Sequence, residues 1–116
     1  MPSILSAINS QPDLKESAMK APSDCHSMQE LRVQIDALDA SIVAGLAARA
    51  GYIDRAIILK QAENLPARIE DRVEEGVDRV RAKAAAEGLD ADLVEDIWRR
   101  LIEWSIAREE LGLRRD

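Results

Sequence analysis

The stretch from Pro22 to Pro66 contains no further proline, and this constrains the fold more than any other feature of the chain. Inside it Leu31, Ile35, Leu38, Ile42, Leu46, Ile53 and Ala56 recur at spacings of three, four and seven residues, the signature of one helix face. Ser27 followed by Glu30 offers a capping box at its start. The spacing predicts a helix from about Met28 to Glu63, about 50 Å long at 1.5 Å per residue. A typical globular helix has only about 11 to 12 residues. The short remainder of one chain cannot cover an apolar stripe of that length. It calls for another long helix beside it.

Asn64-Leu65-Pro66-Ala67 breaks the pattern. A second helix follows from about Glu70 to Glu87, with Val73, Val77, Val80 and Ala84 on one side and Gly88 as a left-handed cap. Asp90 is placed to cap a third helix that runs to about Leu111, with Gly112 after it. Trp98, Ile102 and Ser105 share one of its faces. No strand pattern or internal repeat interrupts this order, so the predicted class is all-α, with a long, a short and a medium helix. The expected organisation is a flexible N-terminal tail over 1–27, one helical domain over 28–112, and a C-terminal tail over 113–116.

A chain of 116 residues with two Trp, one Tyr and no Phe builds a thin aliphatic core, which a partner subunit would help to bury. The formal net charge of -6 argues against a nucleic-acid or membrane-surface binder, which carries a basic face. It leaves room for an anionic small molecule, since a local Arg cluster can outweigh the global sign. Cys25 stands alone, so a reducing cytoplasm is the simplest setting. No apolar run approaches the roughly 18 residues of a membrane span. The first twenty residues lack the pattern of a signal peptide, and Met19 and Met28 offer alternative starts.

Charged residues on apolar faces carry the functional signal. Arg49 falls in the stripe one heptad after Ile42, and Lys60 lies eleven residues further on, within roughly 20° of the same direction. Two cations on a buried face are costly unless an anion meets them. Either they snorkel to water or pair with another helix, or they share an anion site. Glu109 stands four residues after Ser105, on the inner face of the third helix or as a solvated carboxylate near its end. Arg72 opens the second helix and alone reads as a surface residue. Arg32 lies seventeen residues before Arg49, about 25 Å away and roughly 100° around, so it cannot join Arg49 and Lys60 within one chain. In an antiparallel pair of long helices it could reach them from the other chain; otherwise it is a surface Arg near a helix start. His26 beside Cys25 lacks the further ligands or positioned base of a metal or cysteine-nucleophile site. With no Gly-rich phosphate loop either, no metal and no cofactor are expected.

The stretch LRVQIDALDASIVAGLAARAGYIDRAIILK resembles the first helix of the all-helical (type II) chorismate mutases, LRxxIDxxDxxIxxLLxxR with a Lys eleven residues after the Arg. The resemblance continues through DRV at 71 to 73 and GLDADLVEDIWRRLIEWSIAREE at 88 to 110, and covers roughly Met28 to Leu111. The preceding APSDC is similar to the subgroup containing the isochorismate pyruvate lyases of salicylate formation. The resemblance implies an intertwined homodimer with two active sites. In each, Arg49, Arg72 and Arg32 of the other chain would grip the two carboxylates of a small dicarboxylate. Lys60 and Glu109 would hydrogen-bond its ether oxygen, with Ser105 close to a carboxylate. It also implies a pericyclic reaction, chorismate to prephenate, that uses no nucleophile, metal or cofactor.

Two positions depart from the family pattern. Glu109 stands where many members carry Gln, and an ionised carboxylate would repel the ether oxygen as negative charge builds there. Glu109 would then have to carry a proton in the working enzyme, which burial and a bound dianion favour and Lys60 opposes. Val73 stands where typical mutases place a Glu for the substrate hydroxyl, and Ile69 also replaces a polar residue of some mutases. Lyase-type members are apolar at the position of Val73. Chorismate mutase is the favoured reading. Isochorismate pyruvate lyase or a mutase of an amino-substituted chorismate is the alternative, and a non-catalytic helical dimer the third.

Overall fold

The computed structural model describes residues 19–114. Most of the predicted N-terminal tail therefore lies outside the described residues. From Pro22 to Asp24 the chain makes one turn of 3-10 helix. Three α-helices follow: α1 over Met28–Glu63, α2 over Glu70–Ala86 and α3 over Ala91–Arg114. Among the described residues there is no strand, and the fold is all-α.

Local chemistry sets the boundaries. The Ser27 hydroxyl accepts the Glu30 amide at 3.1 Å, capping α1. The Glu30 carboxylate turns one residue further back than a capping box requires and accepts the His26 amide at 2.9 Å. That bond, helped by Lys20, holds the Glu30 carboxyl below the usual carboxylate range. At the other end Asn64 adopts φ 58°, while Leu65 N–H reaches Lys60 C=O at 2.9 Å and Asn64 N–H reaches Gln61 C=O at 3.4 Å. This is a Schellman cap with Asn in the left-handed position. Gly88, at φ 73°, ends α2 in the same way, with Leu89 N–H on Ala84 C=O at 2.8 Å. Asp90 caps α3 through the Asp92 amide at 2.9 Å.

Gly112 differs from expectation. It sits inside α3, which continues to Arg114. A Cβ at this position would lie 2.7 Å from Ile57 Cδ1 and 3.1 Å from Ile57 Cγ2, so the missing side chain lets α3 close on α1. Leu113, next to it, packs against the core. Tertiary contact, not helix termination, explains this glycine.

The chain divides into two compact units within α1, the first ending at Leu46 and the second beginning at Ala47. In the first unit Lys20 is tied to α1 through its amide to Gln34 and its ammonium to Glu30. Here Ile35, Leu38, Ile42 and Leu46, the first part of the predicted stripe, are 37 to 60% exposed. In the second unit α2 packs on α3 around Val73, Val77, Ala84, Val94 and Ile106, with Ala67 of the connecting loop. Val77 is the most enclosed of these side chains. At about 0.8 kcal/mol per buried CH2, such a small aliphatic set stabilises by only a few kcal/mol per residue.

Candidate active site

Within the second unit, α1, the 64–69 loop, α2 and α3 surround a cavity of about 250 Å³. That is just below the usual range of small-ligand pockets, about 300 to 1,000 Å³. Its walls are apolar at Ile53, Val73, Trp98 and Ile102, and four cations line it: Arg49, Lys60, Arg72 and Arg79. A small anionic guest with an apolar body fits this chemistry.

Each cation is held differently. Arg49, half-buried on α1, donates from Nη1 to the Ser105 hydroxyl at 2.7 Å. Ser105 is 3% exposed, and its own proton goes to Leu101 C=O at 2.9 Å. The hydroxyl therefore serves here to orient Arg49, whose remaining N–H groups are available to a ligand. Burial, with the like charge of Arg72, pushes Arg49 below the ordinary arginine value, and Glu109 opposes this. The guanidinium stays charged, but its surroundings do not fully compensate it, and a bound anion would.

Lys60 donates to Ala67 C=O at 2.7 Å and to Glu109 Oε1 at 2.6 Å. The ammonium has three protons, so these two bonds leave one for the cavity. The Glu109 side chain is 6% exposed and that of Lys60 18%, a pair largely withdrawn from water. Glu109 thus faces inward, as its place on α3 predicts, and Lys60 is its partner. Arg68 positions the loop that supplies Ala67 by gripping Glu103 of α3 with both Nη atoms.

Arg72 lines the cavity mouth from α2 with a largely exposed side chain, paired with Glu75 at 3.2 Å. The predicted residues Arg49, Lys60, Arg72 and Ser105 come together on one cavity, with Glu109 joined to it through Lys60. Arg32 belongs to the first unit, is exposed and does not line the cavity. Arg79 and Gly76 line it and were not anticipated. The available signal was spacing, since Arg79 lies one heptad after Arg72 on α2.

Residues 31–110 match the family model for Chorismate mutase type II, a span that contains every residue named on this cavity. The chain belongs to this family. It is also 36% identical over 95 residues to the isochorismate pyruvate lyase of Pseudomonas aeruginosa, an alignment covering 78% of this chain and 89% of that protein. The type II chorismate mutase match runs from the second turn of α1 nearly to the end of α3, so the family resemblance and the described helices coincide. No described helix is long and apolar enough to cross a membrane.

Proposed function

We propose that this chain catalyses the rearrangement of chorismate to prephenate, with Arg49 and Arg72 holding the two carboxylates and Lys60 aimed at the ether oxygen. The observation that carries the reading is the convergence of these cations on one small, mostly apolar cavity with a Lys60 proton uncommitted. In this reaction one C–O bond breaks and one C–C bond forms within the same molecule. The protein's work is to hold the flexible dianion in its compact reactive shape and to stabilise charge developing on the ether oxygen. Arg suits the carboxylates because its planar fork binds them bidentately, while Lys supplies a point charge to the oxygen.

A homodimer is part of the proposal. The exposed stripe Ile35, Leu38, Ile42 and Leu46 supports it, because a second long helix would cover these side chains. Arg32, remote from the stripe's later cations, would then complete the partner's site. Unpaired Cys25 suits a cytoplasmic setting.

A second reading, elimination of pyruvate from isochorismate, is favoured by Val73. This buried residue lines the cavity where a typical mutase offers a carboxylate to the chorismate hydroxyl. The named lyase relative supports it further. Both reactions break the enolpyruvyl C–O bond, so the same cations serve either. Incubating the pure protein with each compound and following its loss by absorbance separates them. Turnover of chorismate with at least about a hundredfold loss of kcat/KM in Arg49→Ala is the expected outcome. A higher kcat/KM for isochorismate would assign the lyase, and turnover of neither would sink both readings.

A further inference from the structure

Arg72 and Arg79 stand one heptad apart on α2, both at the cavity wall. A single carboxylate lies between them. Glu75 Oε1 is 3.2 Å from Arg72 Nη1, and Glu75 Oε2 is 3.4 Å from Arg79 Nη2. Gly76 lines the wall between the two arginines, where a Cβ would make only ordinary contact with Arg72 Nη1 at 3.8 Å. The two guanidinium side chains are 66% and 70% exposed. Ion pairs three and four residues apart on a helix are weak in water, so a ligand can displace this one at little cost. Glu75 also demonstrates reach, since both arginines already meet one carboxylate.

We propose that Arg79 is a substrate-binding residue. With Arg72 it forms a clamp for one carboxylate of the dianionic substrate, and Glu75 is the internal carboxylate that occupies the clamp until substrate displaces it. The proposal rests on the dianion reading of the same cavity and adds to it a residue and an exchange step. No bond is made or broken: Glu75, itself 58% exposed, moves into water as the substrate carboxylate takes its place. Arg49 and Lys60 remain with the other carboxylate and the ether oxygen.

Steady-state kinetics of the full chain tests this. Arg79→Gln should raise KM about tenfold with kcat within about twofold, because the clamp acts in binding before chemistry. Arg79→Lys should recover part of the loss, as a point charge replaces the fork. Removing the competing anion in Glu75→Gln should lower KM about threefold, a change that a merely structural ion pair would not produce. The KM of the wild type should also rise more steeply with added salt than that of Arg79→Gln. Thermal unfolding of each variant checks that the fold is kept. An active wild type whose KM and salt slope are matched by Arg79→Gln would overturn the clamp alone. A wild type that turns over neither chorismate nor isochorismate would remove the reading of the cavity, and the clamp with it.

Discussion

Lys60 and Glu109 pose the sharpest question at the scale of single residues. Their 2.6 Å contact is enclosed enough that removing one partner would strand the other away from water, a loss of about 3 to 5 kcal/mol for a buried pair. Glu109→Gln avoids that loss, because the amide oxygen still accepts from Lys60 while its N–H2 can donate. In the proposed reaction a donor at this position helps the ether oxygen as charge builds there, whereas the Glu109 carboxylate, held by Lys60, offers none. Glu109→Gln is therefore expected to raise kcat/KM for chorismate about tenfold at neutral pH, with the melting temperature little changed. No gain in the variant contradicts this role for Glu109.

Between elements, carboxylate–guanidinium pairs hold the helices of the second unit together. Arg99 of α3 grips Glu74 of α2 through Nη1 and Nη2, at 3.1 and 2.9 Å, and Glu95 through Nε at 2.6 Å. Arg81 of α2 reaches Asp92 and Glu95, and Arg108 of α3 reaches Asp54 of α1. Hydrogen bonds from Arg99 hold Glu74 and Glu95 below the usual carboxylate range, Arg68 does so for Glu103, and Arg108 for Asp54. Each carboxylate takes up a proton less readily folded than unfolded, so their contribution is whole above the ordinary glutamate value of 4.5 and declines as pH falls through the lowered folded values. Glu74, Glu103 and Asp54 are exposed and Glu95 is only partly buried, so the effect is modest and screened by salt. The melting temperature is expected to drop as pH goes from about 5 to about 3, less steeply in Arg99→Ala and at high salt. Equal melting temperatures across that range would contradict the sign.

For the whole molecule, the deciding feature is the absence of any buried residue in α1. A helix of 36 residues carrying Ile35, Leu38, Ile42 and Leu46 exposed is an energetic liability for an isolated chain. The proposed homodimer would cover these residues and would place Arg32 of one chain with Arg49 and Lys60 of the other. Arg32→Ala and Arg49→Ala should each be nearly inactive alone. Mixed, they should regain up to about a quarter of wild-type activity, because half of the molecules in a random mixture are hybrids and each hybrid has one whole site. No recovery despite proven subunit exchange would show that the sites are not shared.

Helix boundaries were legible in the sequence because capping is local. Ser27, Asn64, Gly88 and Asp90 each satisfy orphan backbone groups within a few residues, and the residue type is enough to place them. Arg49 and Lys60 were legible too, since a cation on an apolar stripe contradicts the pattern around it. Gly112 was not, because the same residue type marks a helix end and a close contact, and only the position of Ile57 tells them apart. Arg79 was hidden for a related reason: on its own helix it resembles any solvated arginine. What decided its place was the packing of α2 against α3, which turns that face of α2 toward a cavity. Short-range hydrogen bonding and periodicity are written into the chain itself, whereas which surfaces face one another depends on contacts between residues far apart in sequence.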